Sequence, residues 1–274
     1  MRKSAVILVL LLSGAAIGAA GYFGYKTLKY QKETVPTAVE IESIADKVTE
    51  PTSGQGAGET NGRTGGSAAK EPPATSEPDN LPVSLPEELN LKMTFYAQAP
   101  FGNWDYPWQE TCEEASVLLI ANEYLKKSWT ADQFNDELLK LVEWEKTTFG
   151  DYKHTSVIQT VKILNEYLEL KTLVYDNPTF EDVQKVLARG HFIVMTFAGK
   201  KLGNPFYKNG GPNYHAMVIK GYKKGEKIIT SDVGTRNGEN YVYSWKTINN
   251  AMHDYAEPIE DGAKRMIEVI PPST

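Results

Sequence analysis

The chain has 274 residues, a net charge of −6 and a single cysteine, Cys112. One cysteine cannot close an intramolecular disulfide, so stability has to come from a packed core. No Lys/Arg run is present to neutralise phosphates, which excludes nucleic acid as a partner.

Arg2 and Lys3 precede an uncharged apolar run, residues 5–25 (AVILVLLLSGAAIGAAGYFGY). About 20 apolar residues suffice to cross the hydrocarbon core as a helix. Residues 1–30 therefore read as a membrane anchor with its N-terminus inside, Tyr22, Phe23 and Tyr25 serving as interface aromatics. A signal segment is the alternative, with Gly18 and Ala20 as small residues at a cleavage site. The expected location is the cell membrane with an extracellular domain, or secreted if the segment is removed. Residues 31–85 are dominated by Gly, Ser, Thr, Pro and Glu and hold few large apolar side chains. Such a stretch cannot bury enough surface to offset chain entropy and reads as a disordered linker.

The globular pattern occupies 86–274. LKMTFYAQAPFGNW reads as a short strand entering a turn-rich loop, and Thr111 to Lys126 as a helix. Thr130-Ala-Asp-Gln133 is a capping box opening a second helix, apolar at Phe134, Leu138, Leu141 and Val142. Ser156 to Leu170 predicts a third, with Val157, Val161, Leu164 and Leu168 on one face. KTLVY is a short strand, and Thr179-Phe-Glu-Asp182 starts a helix that stops at Gly190. Strands follow at HFIVMTFA, HAMVIKGY, KIITSD and YVYSW, then a short helix near Lys246 to Met252 and a last strand, RMIEVI. Helices first and an antiparallel sheet second is an α+β pattern.

Cys112 falls at the first turn of the first helix, in Thr111-Cys-Glu-Glu114. This too matches a capping box, with Thr111 as cap and Glu114 reaching back. Helix-terminal N–H groups favour a thiolate there. Glu113 and Glu114 oppose it, so a reactive Cys112 needs a cationic partner. Four histidines are available. His154 reads as a surface or capping residue, His191 as an edge-of-core residue and His253 as exposed. His215 opens the strand HAMVIKGY after a long loop, where a side chain can project into a cleft. Asp232 closes the neighbouring strand and could orient an imidazole. From the residues alone His215 stays open between chemistry and ordinary structure. Trp104 and Trp108, with Tyr106, crowd the loop before Cys112, either as loop packing or as the wall of a substrate cleft. Scattered histidines and one cysteine leave no metal site, and no Gly-rich loop follows a strand, so no cofactor is expected.

FYAQAPFGNW, QETCEEAS, YHAMVIKGY and SDVGTRNGENYVYSW together resemble the family-39-like cysteine peptidases, relatives of the double-glycine leader peptidases in the papain-like superfamily. The resemblance covers most of residues 93–254. It implies a papain-like fold with N-terminal helices on an antiparallel sheet. It also implies Cys112 as nucleophile, His215 as base and Asp232 as orienter. A glutamine ahead of the cysteine would complete the oxyanion hole; Gln98 is preferred, and Gln109 stays open. The chain departs from the family pattern where Cys-Gly-Pro is replaced by Cys112-Glu113-Glu114 and Asp-Pro by Asp232-Val233. The function implied is an exported, membrane-tethered, monomeric hydrolase cutting a peptide or amide bond, with a peptide or cell-wall peptide as substrate. The alternatives are an inactive envelope- or protein-binding module on the same fold, and an acyl or peptidyl transferase.

Overall fold

The computed structural model describes residues 33–42, 44 and 85–273. The apolar run at 5–25 and most of the linker lie outside the described residues. Among the described residues no helix is long and apolar enough to cross a membrane.

The domain opens with β1 (Leu89–Asn90) and then α1 (Cys112–Tyr124), α2 (Ala131–Phe149) and α3 (Val157–Lys162), which continues as a wider turn over Ile163–Tyr167. It goes on with β2 (Lys171–Asp176), α4 (Phe180–Ala188), β3 (Phe192–Ala198), β4 (Tyr214–Lys223), β5 (Lys227–Ser231), β6 (Glu239–Ser244), α5 (Trp245–Ala251) and β7 (Arg265–Ile270). The strands form one antiparallel sheet in the order β2-β7-β3-β4-β5-β6, with β1 added to β4. The predicted α+β arrangement of N-terminal helices on an antiparallel sheet is the one observed.

The predicted capping box at Thr130 forms where it faces water. Thr130 accepts from the Gln133 N–H, and Gln133 accepts from the Thr130 N–H. Thr179 and Asp182 repeat the arrangement at α4. The box predicted at Thr111 does not form. Every residue of α1 except Glu123 is buried, because the helix lies against β3 and β4 on one side and α2 on the other. Thr111 turns its hydroxyl to the Trp108 carbonyl instead, at 3.1 Å, and the Glu114 carboxyl goes into the interior. A helix buried on all faces has no polar side to give up.

Part of the predicted linker is in fact structured. Val39 forms a parallel bridge with Leu91, donating to the Asn90 carbonyl and accepting from the Lys92 N–H, both at 2.8 Å. Val39, Ile41 and Ile44 pack against the core, and Glu33 pairs with Lys223 and Lys227. Three apolar side chains at this spacing are enough to cover an edge, and the surrounding Gly/Ser-rich composition hides them.

Far from Cys112, Glu268 on β7 is 1 % exposed and accepts from Tyr175, from Arg189 and from His191. Burial pushes its carboxyl up, but the His191, Tyr175 and Arg189 hydrogen bonds and the Arg189 charge carry it down to about 2. His191 is thus the edge-of-core residue expected from the strand pattern. A carboxylate with a depressed pKa contributes stability above its unfolded value, and that contribution fades as pH falls toward the folded value. Glu268→Gln should therefore cost about 2–4 kcal/mol at neutral pH in denaturant melts. The gap to wild type should close between about pH 4.5 and the folded value near 2. A gap that is independent of pH would show that the ionised carboxylate is not what holds β7 to β2 and α4.

Candidate active site

Antiparallel pairing of β4 with β5 sets the start of one strand beside the end of the other, bringing His215 and Asp232 together. The His215 ring is 1 % exposed and Asp232 is fully buried. The His215 Nε2 lies 2.9 Å from Asp232 Oδ1. Because the carboxylate accepts, Nε2 carries the hydrogen and Nδ1 is the ring nitrogen left for chemistry.

Asp232 is the most fully bonded acid of the site. Oδ1 also accepts from the Gly234 N–H at 3.1 Å. Oδ2 accepts from Asn204 at 2.9 Å, Tyr207 at 2.7 Å and Tyr243 at 2.6 Å. Burial alone would raise this carboxyl, but the His215 charge and the hydrogen bonds from His215, Tyr243 and Tyr207 outweigh it and hold it below the usual range. Asn204, Tyr207 and Tyr243 were not singled out in the sequence. Tyr243 alternates with Tyr241 along β6, and Asn204 and Tyr207 sit in the loop before β4, so only the folded register shows that all three meet one carboxylate. Gly234 answers to the same site. A Cβ there would come within 2.7 Å of the His215 ring, so only glycine lets the β5–β6 turn lie against the imidazole.

Cys112 starts α1, and its Sγ lies beside the backbone N–H of Ala216, the residue after His215. The thiol donates to Glu113 Oε2 at 2.9 Å. Burial, then the Glu113 charge and hydrogen bond, push the thiol well above its ordinary value, and the Ala216 N–H only partly offsets them. The helix-terminal position therefore does not by itself yield a thiolate in this resting arrangement.

Cys112 and His215 open into one cavity of about 530 Å³. Gln98, Trp104 and Gln109 line it too, with Phe206, Pro212 and Arg236 on the facing loops. Gln98 is buried, its backbone N–H bonded to the Val233 carbonyl at 2.9 Å and its amide nitrogen to the Trp108 carbonyl at 2.8 Å. That fixes one amide hydrogen and leaves the second for the cavity. Gln109 is exposed at the rim. The two tryptophans separate. Trp104 lines the cavity, whereas Trp108 is tied by its indole to Asn135 on α2 at 2.9 Å and braces the loop from beneath. His154 stacks on Tyr255 and lines a different cavity. His253, expected to be exposed, is buried with its ring against the Gly262 carbonyl, because the chain after α5 folds back over it. Among the described residues no cluster of His, Cys, Asp and Glu side chains is arranged to hold a metal ion.

A nucleophile-type side chain, an imidazole held by a buried carboxylate and a fixed amide facing one cavity can support acyl transfer through a thioester. Comparison with solved structures finds similarity to a candidate C39-like peptidase from Bacillus anthracis, at 15% identity and a TM-score of 0.44, covering 69% of this chain and 100% of that one. UfSP from C. elegans is similar at 18% identity and a TM-score of 0.37, over 68% of this chain and 35% of its own length. No curated protein matches the chain. The model of the Peptidase_C39 like family matches residues 90–257. That match spans more than half of the sequence, and the chain belongs to this cysteine peptidase family.

Proposed function

We propose that the chain is a thiol hydrolase that cleaves a peptide or amide bond, with Cys112 as nucleophile, His215 as base and Asp232 as orienter. The observation that carries this reading is the shared cavity, into which the Cys112 thiol and the Asp232-bound imidazole both open. His215 takes the thiol proton on Nδ1, and the sulfur attacks the carbonyl carbon. The oxyanion that forms rests on the Cys112 N–H and the free amide hydrogen of Gln98. His215 then gives its proton to the leaving amine, and the C–N bond breaks to leave an acyl-thioester. Water, deprotonated by His215, releases the acid and regenerates the thiol. Trp104 and Phe206 offer apolar contact for an extended chain along the cleft. The apolar run at 5–25, preceded by Arg2 and Lys3, supports placing the domain outside a membrane, where peptides of the cell envelope are within reach.

One observation favours a second reading, a binding module without turnover. The thiol is bonded to a carboxylate and held neutral, which is the opposite of an activated nucleophile.

Incubating the full-length protein with a mixed peptide library and reading new termini by mass spectrometry separates the two. Cleavage should be present in wild type and absent in Cys112→Ala. Identical product lists would establish the binding module. With a cleaved peptide in hand, Asp232→Asn should lower kcat by about 10²-fold or more, since the imidazole loses its fixed tautomer. Gln98→Ala should cost about 10²–10³-fold in kcat, while Gln109→Ala stays within about threefold. The reverse order would move the oxyanion hole to Gln109.

A further inference from the structure

The scheme above uses Cys112, His215 and Asp232 and leaves three carboxyl groups behind the nucleophile without a role. Glu113 and Glu114 on α1 and Glu145 on α2 are each at most 1 % exposed. No N–H or O–H donor reaches one oxygen of Glu113, both oxygens of Glu114 or one oxygen of Glu145. Glu114 and Glu145 face each other, a contact that is favourable only when one of them carries a proton. The other oxygen of Glu145 accepts from Thr155 at 2.9 Å, and that of Glu113 accepts from Cys112. The titratable groups facing Glu113 and this cluster are Cys112, Glu114, Glu145, and His215 and Tyr214 on β4, with Tyr152 beside Glu114 and Asp151 beyond Glu145. His215, when protonated, is the one cation among them. Three interior carboxyls with no Lys or Arg partner cannot all ionise, so protons have to be stored here.

We propose that Glu113 is a third proton-bearing group of the catalytic centre. Its carboxylate holds the Cys112 thiol in the resting protein, and the Cys112–His215 ion pair forms when Glu113 carries a proton instead. This rests on the reading of Cys112 and His215 as nucleophile and base. The balance is one proton. The resting form has a Glu113 carboxylate, a Cys112 thiol and a neutral His215. One added proton goes to the Glu113 carboxylate, and the thiol proton moves to His215 Nδ1. The product is a Glu113 carboxylic acid, a Cys112 thiolate and an imidazolium, with no other bond changed.

Electrostatics support the exchange. A Glu113 anion beside sulfur disfavours a second negative charge, and a neutral Glu113 removes that repulsion and can donate a hydrogen bond to the thiolate. Burial pushes Glu113 up to about 7, against the hydrogen bond from Cys112, and pushes Glu145 to about 7 as well. Glu114 lies well above the carboxylate range for the same reason, with the Glu145 charge adding to it. The exchange therefore falls near neutrality and belongs to the coupled cluster rather than to one side chain. Its sign is opposite to that of an isolated cysteine, because thiolate content falls as pH rises through neutrality and returns only in the alkaline range.

The test measures the thiol and does not depend on peptide cleavage. Iodoacetamide alkylation of the full-length protein should be followed between about pH 5.5 and pH 9 in wild type, Glu113→Gln and His215→Ala. At about pH 8 the Glu113→Gln protein should react about tenfold faster than wild type, as for a thiol pKa lowered by one unit, and at about pH 5.5 the two should agree within about twofold. Equal rates at the higher pH would overturn the proposal, as would a thiol that Glu113→Gln leaves unreactive throughout. A second measurement needs no variant. Cys112 is the only cysteine, so the Raman S–H band of the wild type reports this thiol alone. That band should strengthen as pH rises from about 5.5 to 8, and a band that weakens or stays constant would overturn the assignment. Loss of the acid-side reactivity in His215→Ala is expected from the Cys–His reading itself. Its absence would refute that reading, independently of the Glu113 result.

Discussion

The burial of α1 on all its faces is the constraint from which the site follows. A helix enclosed between β3, β4 and α2 brings whatever stands at its N-terminus into the interior. Here those residues are Cys112, Glu113 and Glu114. In water the two glutamates would be ordinary first-turn acids, stabilised by the helix dipole and free to cap. Out of water their charge is costly, and burial outweighs the dipole. The same displacement explains why the thiol is neutral, why the Thr111 capping box is missing and why three carboxyls must share protons.

Asp232 meets the opposite fate under equal burial. Its five donors come from five different residues, and together they make an interior carboxylate acceptable. The number of donors, not the depth of burial, distinguishes it from Glu114, which has none. Asp232 can therefore act as a fixed charge that holds the His215 ring in one tautomer, while Glu113, with a single donor in Cys112, stays poised to gain a proton. The site thus combines one acid whose charge is held by five donors and one that, in the proposal above, titrates together with Cys112.

Much of this architecture was legible in the chain. Strands β2 to β7 and the five helices α1 to α5 match runs read in the sequence, whereas β1 lies just before the run read as the first strand, and the predicted cap at Thr130 formed because its polar partner faces solvent. That Cys112, His215 and Asp232 come together was foreshadowed by motif order and strand ends. What could not be read depends on tertiary register. The Thr111 box has the right residues and fails only because of what packs around it. Residues 33–42 have a low-complexity neighbourhood, and their role appears only once β1 offers an edge to Val39. Tyr207, Tyr243 and Asn204 carry no local signal, because the loop before β4 and strand β6 meet at Asp232 only in the folded register. His253 looked exposed beside Asp254 until the return of the chain at Gly262 enclosed it.

The residues that replace the family's Cys-Gly-Pro pattern, Glu113 and Glu114, thus bear on the charge of Cys112 more than on its location. A small apolar pair at those positions would leave Cys112 facing helix-terminal N–H groups and an imidazole, with burial alone to oppose ionisation. Two buried acids oppose it directly and tie the charge of the sulfur to the proton content of the interior. The Ala216 N–H beside Sγ favours the anion, but the resting balance lies on the thiol side. A centre with a donor placed for the anion and an acid placed against it is balanced between two protonation states, separated by a single proton.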